Sequence, residues 1–286
     1  MISKVIVKIL KTSATFLILT AIIALNLHDF FIVSALNLNI DTKEVELGEI
    51  VSKRGKYEKH FQNDDGTITV ASYNDAIHYK NEKGEWIDID NTLLEKTDSK
   101  VSSINRSINE NKITKTYSNK DNPFKVNFNS KANSDELVTV KFDDYSITWG
   151  LQNAEEVDST IKNSVEEAKV FTTVELNKYS SEIFYENALS NSNLRYTLLF
   201  SSLKEEIILN ENPSFEDIRY NVLSENLVAI LQENKDVIFY DVDDATKEVF
   251  RVSAPFMYDS AESIEYNENI EVVLEETENG YVMVSG

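Results

Sequence analysis

The chain has no cysteine, and its 286 residues include only seven glycines, three prolines and three histidines. Without cysteine there is no disulfide framework, thiol nucleophile, Cys-ligated zinc or lipid-modified N-terminal cysteine. Scarce glycine and proline set the chain apart from loop-rich and low-complexity sequences. Basic residues are also few: 28 Lys and Arg stand against 49 Asp and Glu, a formal charge of −21. A surface this acidic repels phosphate backbones and argues against nucleic-acid binding, and solubility outside a cell accounts for it. The sequence contains no Gly-x-Ser-x-Gly elbow, no His-Glu-x-x-His helix and no glycine-rich phosphate loop. The commonest hydrolase and nucleotide-binding readings therefore fall away. A non-catalytic protein without cofactor is expected, and no catalytic, cofactor-binding or metal-ligating residue is assigned.

What the sequence does have is strand-forming material. Thirteen Tyr and fourteen Phe, within a hydrophobic fraction of 42%, fit a folded chain rich in β-structure. The N-terminus follows secretory logic. Lys4, Lys8 and Lys11 form a basic start, Thr12 to Leu27 is apolar, and Val33-Ser34-Ala35 offers compact residues before a cut after Ala35. Residues 1–35 are thus read as a signal peptide. The alternative is an uncleaved anchor helix over residues 12–35, which would place His28 and Asp29 near a membrane interface and be the sole membrane contact.

The rest divides into a polar linker at 36–56, a β-hairpin block at 57–94, a polar loop at 95–121 and a β-sandwich domain at 122–286. In the first block, Asp64-Asp65-Gly66 marks a turn before the alternating run Thr67 to Tyr73. Residues 76–94 read as two short strands around a polar turn. Gly84 is available there for positive φ, and Ile87 and Ile89 alternate with Asp88 and Asp90. In the second block, Val138, Val140 and Phe142 are followed by Asp143-Asp144 and then Tyr145, Ile147 and Trp149. Two matched period-2 runs around two turn residues predict a hairpin with one apolar face. Further strands are expected at 170–176, 182–185, 194–200 and 203–209, and again at 237–240, 248–252, 270–274 and 281–284. Residues 227–232 have helical propensity, but their β-rich neighbours favour strand. Strands at this spacing without alternating helices predict an all-β, antiparallel sandwich.

The few candidates for chemistry each have a plainer reading. His60 and His78 are the only histidines after residue 35, and His78, on a strand between Ile77 and Tyr79, reads as structural. Asp241 to Glu248 is the best calcium candidate, because calcium takes six to eight oxygen ligands. Ala245 and Lys247 break the EF-hand pattern, so an acidic hairpin turn is favoured there. Trp149 completes an apolar face and is expected in the core, while exposed aromatics such as Tyr258 offer a sugar-binding surface as the less common case. Asn105-Arg106-Ser107 matches a glycosylation sequon by chance.

Several segments occur in a recognisable order over residues 60–284. They are Ile77-His78-Tyr79-Lys80 through Asp90-Asn91-Thr92-Leu93, Asn122-Pro123-Phe124-Lys125-Val126-Asn127-Phe128, and Tyr145-Ser146-Ile147-Thr148-Trp149. Leu194-Arg195-Tyr196, Lys204-Glu205-Glu206-Ile207-Ile208-Leu209 and Val249-Phe250-Arg251-Val252-Ser253-Ala254-Pro255-Phe256-Met257-Tyr258-Asp259 follow. This series resembles the N-terminal module of bacterial secreted proteins of the wall-associated, RHS-repeat and DNRLRE-domain kind. The resemblance implies a secreted or cell-wall module of a Gram-positive-type bacterium, with a structural or binding role. Its implied partners are cell-wall polymers or the remainder of a larger surface protein, in some cases one that delivers a C-terminal toxin. The alternative is a carbohydrate-binding or carbohydrate-active extracellular protein. The chain carries no YD repeats, toxin domain or sorting signal, so a truncated product is expected.

Overall fold

The computed structural model describes residues 4–12, 48–98, 114–163, 177–210, 215–259 and 266–286. Among them there is no α-helix, and nearly every element is an antiparallel strand. The all-β expectation holds. β1 (Lys4–Thr12) comes first, then β2 (Gly48–Glu49), β3 (Glu58–Gln62) and β4 (Ile68–Ser72), which form a small three-stranded sheet. β5 (His78–Lys80) and β6 (Trp86–Asp88) make a separate hairpin, and its turn uses Gly84 at φ +78°.

The body of the protein follows. β7 (Asp90–Asp98), β8 (Thr114–Asp121), β9 (Lys125–Asn129), β10 (Val138–Phe142) and β11 (Tyr145–Leu151) lie in one sheet. β12 (Ser159–Asn163), β13 (Ser180–Leu189), β14 (Ser192–Leu199) and β15 (Ser202–Leu209) lie in another. β16 (Ile218–Glu225) returns to the first sheet, and β17 (Leu227–Leu231), β18 (Val237–Asp241) and β19 (Glu248–Val252) extend the second. β20 (Phe256–Asp259) and β21 (Tyr266–Asn267) attach to the second sheet, while β22 (Val272–Thr277) and β23 (Gly280–Ser285) close the first. Sheet one runs β22-β23-β16-β11-β10-β9-β8-β7, and sheet two runs β12-β13-β14-β15-β1-β19-β18-β17.

Period-2 alternation explains the packing. Leu194, Tyr196 and Leu198 of β14 are fully buried and share one core with Val138 and Val140 of β10 and Phe128 of β9. The Phe128 and Tyr196 rings lie 5.5 Å apart across the sheets. Burying each side chain of this size is worth about 1.5–3 kcal/mol. The hairpin expected around Asp143-Asp144 is present, with Phe142 opposite Tyr145 and Asp143 at φ +51°. Residues 227–231 are strand, paired along β18. At Gly150 two backbone segments approach closely: a Cβ there would come within 2.5 Å of the Ser134 carbonyl oxygen.

Several expectations differ from the structure or fall outside it. Residues 90–94 begin a strand of the large sheet rather than ending a separate block, and residues 114–121, read as loop, form β8. β8 escaped notice because its buried positions are largely polar. Asn119 donates to the Phe124 carbonyl at 2.8 Å and accepts from the Val126 amide at 2.9 Å. Asn91 donates to the Tyr179 and Phe200 carbonyls at 2.9 and 2.8 Å, and Asn122 donates to the Asn91 side-chain oxygen at 3.0 Å. These asparagines satisfy backbone groups that no ladder reaches. Lys4–Thr12, expected as the basic start of a leader, is a strand, in keeping with the β-branched residues Val5, Ile6, Val7 and Ile9. The rest of the leader, the 170–176 strand and the Asn105 sequon lie outside the described residues. Among the described residues no helix is long and apolar enough to cross a membrane.

Candidate functional site

His78 is fully buried, and its surroundings account for it. Its Nδ1 lies 2.6 Å from the Gly55 carbonyl oxygen and its Nε2 lies 3.2 Å from Asp88 Oδ1. The Nδ1 contact is a hydrogen bond, whereas Nε2 faces the Asp88 carboxylate at ion-pair distance without hydrogen-bond geometry. Asp88 is the hub of the cluster. Lys59 Nζ lies 2.7 Å from Oδ1, and Arg54 and Lys178 lie 3.1 and 3.2 Å from Oδ2. Burial works to raise the Asp88 carboxyl, but the His78 contact, Lys59 and the charge on Lys178 outweigh it and hold it well below the usual range. Arg54 also clamps Glu49 at 2.6 and 2.8 Å. The cluster joins the small sheet, the β5–β6 hairpin and the 3-10 turn Asn177–Tyr179 of the body. The Tyr79 hydroxyl, pushed up to about 12 by burial and then by Asp121, adds a bond from the hairpin to β8. This is a clasp. His60, partly exposed beside Glu58 at 3.2 Å, takes no part in it.

The acidic loop after β18 is a hairpin turn held by its own side chains. Asp241 Oδ2 accepts from the Tyr145 hydroxyl at 2.5 Å and from Lys247 at 3.1 Å. With the Asp243 amide, these partners hold the Asp241 carboxyl down at about 2. Asp244 accepts from the amide and hydroxyl of Thr246. Among the described residues no group of three or more His, Cys, Asp or Glu is arranged to hold a metal ion.

Between the sheets lies an apolar cavity of about 40 Å³ bordered by Trp149, Leu203, Phe239 and Val252. Trp149 is half-buried there and donates to the Tyr196 hydroxyl at 3.2 Å. Among the described residues the carboxylate at its wall is Glu205, buried and bonded by the Tyr220 hydroxyl at 2.7 Å.

The face of sheet two turned away from the core carries the arrangement best suited to contact. Alternation on β20 places Phe256 and Tyr258 on one side, and Tyr266 of β21 joins them. The three rings form a triangle with centroids 6.3, 5.7 and 5.8 Å apart. Tyr266 is 54% exposed. Beside them Glu206 of β15 accepts from Arg195 at 2.8 Å and pairs with Lys204 at 2.8 Å. Burial tends to raise the Glu206 carboxyl, but those two cations keep it below its ordinary value. Tyr258 is raised by burial and then by the Glu206 charge. Ring faces next to locked charges suit a ligand with both apolar and polar faces. Of these residues the sequence pointed to Tyr258. Tyr266 and the ion-paired row follow from strand register.

The fold and this face define an antiparallel β-sandwich with an aromatic, charge-rimmed outer surface. No family model matches the chain, and no solved structure matches it. It is distantly related to wall-associated proteins. It is 24% identical over 220 residues to a wall-associated protein of Geobacillus stearothermophilus, covering 76% of this chain and 77% of that one. It is 25% identical over 250 residues to the tRNA nuclease WapA of Bacillus subtilis strain 168, covering 85% of this chain. The tRNA(Glu)-specific nuclease WapA of Bacillus subtilis subsp. natto matches to the same extent. The chain spans about a tenth of the length of these two nucleases.

Proposed function

We propose that this chain is a non-catalytic, wall-associated module of the bacterial cell surface that holds wall polymer on the outer face of sheet two. In this reading it stands ahead of RHS- or DNRLRE-type regions in a longer surface protein. The nuclease activity in the names of the longer relatives would lie in parts of them that this chain does not match. The observation that carries the reading is the Phe256–Tyr258–Tyr266 triangle beside the Arg195–Glu206–Lys204 row. Stacked rings bind the apolar faces of sugar rings, and fixed charges meet their polar edges. The similarity to a wall-associated protein supports the same setting.

The test is co-sedimentation of the full chain with purified peptidoglycan, with reducing-end release measured in parallel. Retention without sugar release is expected. The Tyr258→Ala, Tyr266→Ala double variant removes two rings worth about 0.5–1.5 kcal/mol each, so retention should fall roughly tenfold. Unchanged retention in that variant would refute the site. Release of reducing ends by the wild type would replace the reading with a carbohydrate-active one.

A further inference from the structure

β1 occupies an unusual position. Its residues Lys4 to Lys11 pair with Leu209 to Ser202 along the whole of β15. On its other side, Lys4 to Val7 pair with Asp259 to Phe256 of β20, and Leu10 to Thr12 pair with Val252 to Phe250 of β19. β15 has no direct ladder to β19 or β20. One nine-residue strand thus bridges β12–β15 to β17–β19 and to β20–β21. Removing it leaves the edge of β15 open in the middle of the sheet, with eight residues of unpaired backbone over a buried row. Such an edge is a template for another strand.

The sequence of this strand is also the basic start of a leader, and a cut after Ala35 would take it away. We infer that the place of β1 is a strand-acceptor site. The chain's own N-terminus fills it when present, and an extended segment of another polypeptide fills it when that strand is removed. The site sets the chemistry of the incoming strand. Ile6 and Leu10 stand in register with the buried Ile207 and Leu203, so apolar residues are required at those alternate positions. Lys8 stands in register with the buried carboxylate of Glu205, on the wall of the inter-sheet cavity, so a basic residue suits that position. Tyr220 already bonds that carboxylate, so the selection is against a second carboxylate in register with it.

The test uses the full chain, whose lack of cysteine makes disulfide trapping clean. In the Val5→Cys, Ile208→Cys chain the two register partners should form a disulfide under mild oxidation. A folded chain that fails to form it would overturn the placement of β1. A second chain carries Val7→Pro to disable β1, together with Ile208→Cys. It is offered a labelled nonapeptide with the sequence of Lys4–Thr12 and cysteine in place of Val5. Capture at least tenfold above that by the Ile208→Cys chain with intact β1 is expected. A peptide that also carries glutamate in place of Lys8 should be captured about tenfold less. Equal capture by the two chains would overturn the acceptor site, and equal capture of the two peptides would overturn the selection by Glu205. If Val7→Pro prevents folding, the same peptide is offered to the Ile208→Cys chain under native conditions. Slow capture that grows with peptide concentration supports exchange, and none over days refutes it.

Discussion

Replacing Asp88 with asparagine keeps the shape of the side chain and removes the charge that four groups converge on. Lys59 is 8% exposed at its side chain and lies 2.7 Å from the carboxylate, so the variant leaves a buried ammonium without its nearest counter-charge. Breaking a buried ion pair by removing one partner costs about 3–5 kcal/mol. Asp88 itself keeps 23% of its side-chain surface, which places this case near the lower end, at about 3 kcal/mol. For a chain of this size that is a fall in melting midpoint of roughly 6–12 °C. The pH dependence has a definite sign. A carboxyl held below its ordinary value stabilises the fold above the unfolded value of about 4, and loses that contribution as pH falls through the folded one. The gap between wild type and Asp88→Asn should therefore be full at pH 7 and close progressively below about pH 4. Calorimetry of both proteins from pH 7 to pH 2.5 or so reads it out. A variant melting within about a degree of wild type at pH 7 would refute the clasp, as would a gap that persists unchanged into acid.

Two further outcomes follow from the same structure. Gly150→Ala puts a Cβ within 2.5 Å of the Ser134 carbonyl oxygen and 2.7 Å of that of Asp135, both backbone atoms that cannot swing aside. A loss of about 1–3 kcal/mol in urea unfolding is expected, and wild-type stability would disprove the close approach. Millimolar calcium should leave the melting midpoint unchanged, because Lys247 and Tyr145 already occupy Asp241; a clear rise would reinstate the turn as a metal site.

Strands with clean alternation were legible. The Val138–Trp149 hairpin could be read because its apolar residues repeat every second position and two aspartates mark the reversal. β8 could not, since Asn119 is buried by hydrogen bonding rather than by hydrophobicity, and periodicity registers only the latter. The clasp was equally hidden. Lys59, Asp88 and Lys178 are far apart in the chain, and no local pattern announces that they will meet. His78 drew notice for its rarity, yet its role follows from what surrounds it. Tyr258 could be picked as an aromatic, but its partner Tyr266 arrives from another strand.

The order of strands in the sheets bears on when the molecule can fold. β11 finds its partner in β16, with Trp149 opposite Val222, and β16 is closed in turn by β23 at the far end of the chain. β7 packs near β13, and Asn91 reaches the carbonyl of Phe200. Such distant pairings make folding slow, because loop-closure entropy is spent before the contacts reward it. The early strands must wait for the last ones to be made. Until β23 has been made, β16 is left as an open sheet edge, and the half-made chain is exposed to pairing with strands other than its own.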